Sequence, residues 1–206
     1  MPSNFSKYLS AWLMFQSLKP DWKILDVGCG RLSPLKFTKK GSYRVGIDHY
    51  EPYIKASKKL AIHDKYILAD AKNLPFKDNS FQVVIAIEII EHLKKQDSFK
   101  IIKEMERVAS KKMILTTPNG FLKTLPGDLD NPNEFHLSGW DVGDLKELGF
   151  KVRGLGGFKN LWKVNKKGEA VLRGFYPISF FLAALSQFLV YFYPKKAFRL
   201  LAIKSV

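Results

Sequence analysis

Three carboxylates recur in the first third of the chain, each set against a short apolar run. Asp26 lies inside Ile24-Leu25-Asp26-Val27-Gly28-Cys29-Gly30, Asp48 closes Arg44-Val45-Gly46-Ile47-Asp48, and Asp70 sits in Ala69-Asp70-Ala71. Gly28 and Gly30 carry no Cβ where the backbone must turn tightly and let a ligand approach. A glycine turn at the carboxyl end of a buried strand is where open α/β sheets bind nucleotide-like cofactors. Asp48, 22 residues after Asp26, is spaced to accept both hydroxyls of a ribose. Asp70 and the backbone amide of Ala71 can read an adenine edge. The pyrophosphate fingerprint needs a third glycine, and Ser33-Pro34 stands there instead. A carboxylate beside the turn suits a phosphate-free cofactor with a cationic amino-acid tail.

A second set of reactive side chains follows. Glu88-Ile89-Ile90-Glu91-His92 comes after the apolar run 81–87, and His136 lies in Asn133-Glu134-Phe135-His136-Leu137-Ser138-Gly139-Trp140. Two carboxylates and two imidazoles can move a proton or hold a divalent metal through oxygen and nitrogen ligands. Glu91, His92 and His136 are the acceptor-side catalytic candidates, and Glu88, Glu91, His92 and His136 the metal candidates. The metal-free reading, with the histidine on a substrate rim, is the favoured one. His63 has no such company and reads as a surface residue at a helix end.

Strands are expected at 23–27, 43–47, 65–69, 81–87, 113–116, 150–155 and 197–203, from apolar, β-branched runs bounded by turn residues. Helices are expected over 4–18 (Phe5, Tyr8, Trp12, Phe15 and Leu18 forming its apolar stripe), after Ser33-Pro34, over 52–61, from an Asp97 cap to 109, and over 138–148. A polar loop covers 121–137. Strand and helix in regular alternation predict an α/β fold, a doubly wound parallel sheet with helices on both faces. Residues 158–196 break the rhythm. They begin basic (Lys159, Lys163, Lys166, Lys167, Arg173) and end in an apolar helix, 178–193. Ile178, Phe181, Leu182, Leu185, Phe188, Leu189 and Phe192 form one stripe of that helix, opposite small Ser179, Ala183 and Ser186. At about 1.5 Å per residue it spans roughly 24 Å, short of a bilayer core, so no transmembrane span is expected. The helix reads as packed on the domain or in a homodimer, or as a hydrophobic lid or peripheral membrane contact.

The 206 residues suit one domain: an N-terminal helix in 1–20, a core over 22–157, the insertion 158–196 and a last strand in 197–206. Cys29 is the only cysteine, which excludes an intrachain disulfide and points to a reducing, cytoplasmic setting, with a membrane-peripheral one as the alternative. The apolar run 8–18 lacks a signal-peptide cleavage pattern. The net charge of +15 is mostly lysine spread along the chain, with six arginines. That pattern fits a solvated surface better than a nucleic-acid stripe.

In order and spacing, ILDVGCG, RVGID, LADAKNLPFKDNSFQVVIAIEIIEHL and MILTTPNG resemble the successive motifs of the class I S-adenosylmethionine-dependent methyltransferases, over roughly residues 22–157. The nearest resemblance is to the small-molecule group that includes the O-methyltransferases of ubiquinone biosynthesis. The resemblance implies a seven-stranded sheet of order 3-2-1-4-5-7-6 with strand 7 antiparallel, the insertion lying between strands 6 and 7. It carries Asp26, Gly28, Cys29 and Gly30 to the methionine end of S-adenosylmethionine, Asp48 to the ribose, His49, Asp70 and Ala71 to the adenine, and Ile87 to the cofactor's back. E-x-x-E-H also resembles metal-dependent small-RNA 2′-O-methyltransferases. A small-molecule or lipid-like acceptor is the leading expectation. RNA is the alternative, although TTPNG departs from the N/D-P-P-F/Y signature of base-amine methylation. A non-catalytic cofactor-binding partner subunit is the third.

Overall fold

The computed structural model describes residues 4–123, 131–165 and 169–206. Lys166, Lys167, the stretch 124–130 of the expected polar loop and the Phe5 side chain lie outside that description. Seven strands form one sheet of order β3-β2-β1-β4-β5-β9-β6. They are β1 (Lys23–Val27), β2 (Tyr43–Asp48), β3 (Lys65–Leu68), β4 (Phe81–Ile87), β5 (Ala109–Pro118), β6 (Lys151–Phe158) and β9 (Ala197–Ser205). One strand runs antiparallel and helices flank the sheet, as expected. The chain divides into two compact units, Met1–Ile87 with Gln96–Leu115 and Ile203–Val206, and Glu88–Lys95 with Thr116–Ala202.

In the first unit, β1 lies between β2 and β4, parallel to both, with Asp26 opposite Gly46 and Ile85. Ile24, Leu25, Val27, Val83, Val84 and Ile85 are wholly buried, as strands covered on both faces must be. Helix α1 (Asn4–Phe15) exists, but its inward face differs from the expected stripe. Ala11, Met14, Phe15 and the following Leu18 are buried, whereas Tyr8 and Trp12 are 56% and 61% exposed. The stripe 11-14-15-18 is as periodic as the aromatic one, and Ala11 admits close packing. Tyr8 instead meets Phe37 edge to face at 4.9 Å.

The element after Ser33 is a single 3-10 turn, Pro34–Phe37, capped by the Ser33 hydroxyl, which accepts from the Leu35 amide at 3.1 Å. Helix α2 is Glu51–Lys58. Helix α3 (Lys95–Val108) starts before Asp97, so Asp97 is a first-turn acid at the positive end of the helix rather than its cap. Near its end Arg107 is fixed by Glu104 (Nε to Oε1 2.7 Å). Its other nitrogens donate to the carbonyls of Phe76 and Leu74 at 2.8 and 3.0 Å, which pins the connection that follows Asp70.

In the second unit, helix α4 covers only Val142–Glu147, closed by a capping box between Asp141 and Asp144. The expected start at Ser138 fails because that hydroxyl is used elsewhere, accepting from Trp140 Nε1 at 3.1 Å and donating to the Ile90 carbonyl at 3.1 Å. The basic start of the insertion holds a hairpin absent from the sequence reading, β7 (Trp162–Val164) against β8 (Ala170–Leu172). Helix α5 is Tyr176–Phe192. It packs on its own chain, but through its small face. Ser179, Ala183, Ser186, Gln187 and Val190 are buried and the large apolar stripe points outward.

Candidate functional site

The turn after β1 lies wholly within the first unit. Gly28 (φ 63°) and Gly30 (φ 58°) adopt the left-handed backbone region, where an L side chain would be strained. A Cβ built on Gly30 meets nothing within 4 Å, so open space borders the turn. The Cys29 amide donates to the Ile47 carbonyl at 2.8 Å. Asp48 Oδ2 accepts from the Gly30 amide at 3.0 Å, and Oδ1 accepts from the Tyr50 amide at 2.9 Å. One buried carboxylate therefore fixes both the glycine turn and the start of α2. Burial, helped by the charges of Asp26 and Asp48, pushes the Cys29 thiol far up, so it is a neutral packing group rather than a nucleophile.

Asp26 is buried and bonded to His63, with Oδ2 and Nε2 2.8 Å apart and both side chains sealed from solvent. This corrects the reading of His63 as a surface residue. Gly46 makes room for it, since a Cβ there would lie 3.1 Å from the imidazole and 3.0 Å from Cys29 Sγ. His63 is the residue behind the glycine turn that the sequence did not point to; the glycine opposite Asp26 in β2 was its only trace. Asp70 is exposed beyond β3, its Oδ1 accepting from the Lys72 amide at 2.9 Å, and Ala71 is half-buried. His49 is exposed, its Nδ1 3.7 Å from Asp48 Oδ1. Ile87 ends β4 half-buried.

The second unit holds the other candidates. Glu88 has a φ of 56°, a strained value for a side chain of this size, of the kind that collects at functional sites. Its Oε1 accepts from the Thr116 hydroxyl at 2.8 Å and its Oε2 lies 3.5 Å from Arg199 Nε. Glu91 is buried, and among the described residues neither of its carboxyl oxygens has a hydrogen-bond partner. Burial raises its carboxyl well above the ordinary range, and the charge of Glu88 adds to this. His92 and His136 meet edge to face with ring centroids 4.8 Å apart, and both Nδ1 atoms lack a partner. Burial lowers both imidazoles, and for His136 the neighbouring His92 adds to it, so the pair is neutral near pH 7. Glu91, His92 and His136 each offer a ligand atom within 4.8 Å of the others; Glu88 is outside that group. The loop carrying His136 is stitched to residues 90–91, since the amides of Leu137 and Ser138 both donate to the Glu91 carbonyl, at 2.8 and 3.0 Å.

Residues 25–116 match the family model described as a methyltransferase domain. That match covers under half of the chain. A magnesium protoporphyrin IX methyltransferase from Synechocystis with bound S-adenosylmethionine shares the fold, with a TM-score of 0.56 at 15% identity, over 98% of this chain and 78% of that one. The chain is 35% identical over 94 residues to the probable tRNA methyltransferase 9B of Homo sapiens, covering 45% of this chain and 20% of that protein. It is 37% identical over 99 residues to the cycloartenol-C-24-methyltransferase of Arabidopsis thaliana, covering 44% and 29%. It thus spans less than a third of either relative. A SAM-dependent methyltransferase from Archaeoglobus fulgidus shares the fold, with a TM-score of 0.57 at 18% identity, over 98% of this chain and 95% of that one.

The buried Asp26–His63 pair makes the glycine turn sensitive to a residue 35 positions beyond Gly28. Replacing His63 with Leu strips a buried carboxylate of its partner and is expected to cost about 3 kcal/mol. Urea denaturation followed by circular dichroism reads this directly; a cost under about 0.5 kcal/mol, the range of ordinary surface changes, would contradict the pairing.

Proposed function

We propose that the chain transfers a methyl group from S-adenosylmethionine to a small-molecule or lipid-like acceptor that attacks through a hydroxyl. The observation that carries this reading is the cluster of buried Glu91 with half-buried His92 and His136, both Nδ1 atoms unpartnered. A neutral imidazole can take the hydroxyl proton as the oxygen attacks. Bound S-adenosylmethionine supplies a methyl on a sulfonium, and the sulfur departs as a neutral thioether. The residues then need only hold nucleophile and methyl in line and remove one proton.

On the donor side, Asp48 takes the ribose hydroxyls while its carboxylate still holds the turn. Gly28, Cys29 and Gly30 line the methionine end, with Asp26 behind them, buried against His63. Asp70, Ala71 and His49 border the adenine, and Ile87 backs the cofactor. On the acceptor side, Phe135 and Leu137 flank His136 in sequence and are 44% and 57% exposed, which suits an apolar acceptor. The cluster holds no lysine or arginine for a phosphate backbone, which weighs against RNA despite the +15 charge and the tRNA named in the human relative.

Incubation with methyl-labelled S-adenosylmethionine and fractionated cell extract tests this. Label is expected in organic-extractable or small-molecule material, and His136→Ala is expected to lower kcat/KM by roughly 10²-fold. The acid limb of the kcat/KM profile is expected below the ordinary imidazole value of about 6.5, because both histidines are shifted down. Label confined to RNA, with affinity falling steeply in salt, would overturn the acceptor class.

The same three side chains fit a divalent cation. One carboxylate oxygen and two imidazole nitrogens are an ordinary mixed donor set, and their lack of partners is the observation that favours it. A cation there would polarise an acceptor hydroxyl. Calorimetric titration with Mn²⁺ or Zn²⁺ is expected to show one site lost in Glu91→Gln and in His136→Ala. Activity unchanged after chelation, with no heat on titration, would sink the metal reading and leave the imidazole as sole base.

A further inference from the structure

Helix α5 is built inside out, and the chain has taken care to build it so. Its polar side chains face β6: Gln187 Oε1 accepts from the Gly156 amide at 2.8 Å, Gln187 Nε2 donates to the Gly154 carbonyl at 3.0 Å, and the Ser186 hydroxyl accepts from the Phe158 amide at 3.1 Å. Two glycines in β6 let the helix backbone lie flush on the strand. A Cβ on Gly157 would fall 2.5 Å from the Ala183 carbonyl oxygen, and one on Gly154 would clash with the Val190 carbonyl and lie 2.6 Å from Ala197 Cβ. At the far end, the Asn119 amide group donates to the carbonyls of Pro194, Lys195 and Ala197. The rotation of α5 about its own axis is therefore fixed by directional bonds and close contacts.

That rotation holds the large apolar stripe outward. Phe181, Leu185, Phe188 and Phe192 are 64%, 58%, 71% and 66% exposed, and Phe175 and Tyr193 continue the patch at either end. A monomer with a contiguous apolar patch of this kind is built to cover it with something. The helix carries no charged residue, and no described helix is long and apolar enough to cross a membrane. Basic residues bracket it, Lys163 and Arg173 before and Lys195 and Lys196 after, all exposed. Over 158–196 there are seven basic residues against one acid, Glu169, a far steeper bias than the 34 to 19 of the whole chain.

We propose that α5 docks the protein on an anionic lipid surface, its aromatic face entering the headgroup–acyl boundary and the flanking lysines and arginine engaging lipid phosphates. An apolar face rimmed by Lys and Arg is what an interfacial helix requires. The charge pattern disfavours a second copy of this chain as the occupant. Both ends of α5 are basic, so pairing two copies, parallel or antiparallel, sets like charge against like.

Vesicle flotation of the full chain, without cofactor or acceptor, tests this independently of the proposed reaction. Flotation is expected with phosphatidylcholine vesicles containing phosphatidylglycerol and to be much weaker with phosphatidylcholine alone. Lys195→Glu with Lys196→Glu is expected to lower the affinity for the anionic vesicles about thirty-fold, and high salt to mimic it. Phe181→Ser with Phe188→Ser alters only exposed side chains, so its melting temperature is expected to hold while flotation is lost. Wild-type protein left in the aqueous fraction with both vesicle types would overturn the proposal. So would a wild-type dimer in sedimentation that the phenylalanine pair of substitutions dissociates while vesicle affinity stays unchanged.

Discussion

The arrangement depends most on one carboxylate placed where a strand ends. Asp48 closes β2, and its two oxygens receive the amides of Gly30 and Tyr50. Without that acceptor, the left-handed turn at Gly28 and Gly30 would lose the bond that holds Gly30, and α2 would begin without its anchor. Parallel pairing supplies the rest of the constraint: β1 in register with β2 sets the turn beside Asp48, and the Cys29 amide closes onto the Ile47 carbonyl. The turn is thus fixed by backbone geometry and one side chain, which is why so short a motif can define a cofactor cradle.

A second group of residues works by the opposite physics. Glu91, His92 and His136 are not fixed by bonds to one another; Glu91 is buried and the two imidazoles half-buried, where loss of water disfavours their charged forms. Burial lowers both imidazoles and raises the Glu91 carboxyl, outweighing Glu88 at the imidazoles and Arg199 at Glu91. A group in that state either handles protons near neutrality or waits for a cation that restores its charge, and both belong to group-transfer chemistry. The strained backbone at Glu88 and its bond to Thr116 sit in the same segment, directly after β4.

Much of this was legible in the sequence because it is written in local patterns. The ends of β1 and β4 fall where the apolar runs meet Gly28 and Glu88, whereas the sheet order was implied only by the family that the ordered motifs resemble. The misreadings share a cause: burial of a residue depends on partners far along the chain. Tyr8 and Trp12 are large and periodic, yet small Ala11 faces the core. Ser138 is a good helix cap in isolation, but Trp140 and Ile90 take its hydroxyl. His63 reads as a helix-end residue until β2 is laid beside β1 and Gly46 opens the space that joins it to Asp26. The stripe on α5 was visible, but its outward direction was not, because it is set by glycines in β6 and by Gln187 rather than by hydrophobicity.

The central claim is that the turn held by Asp48 is the S-adenosylmethionine site. Isothermal titration of S-adenosylmethionine into the wild-type chain and into Asp48→Ala tests it most directly. The account predicts one site per chain, weakened on the order of tenfold or more by the substitution, since a ribose contact and the clamp on Gly30 vanish together. Equal affinity in the two proteins, or no binding to the wild type, would contradict it.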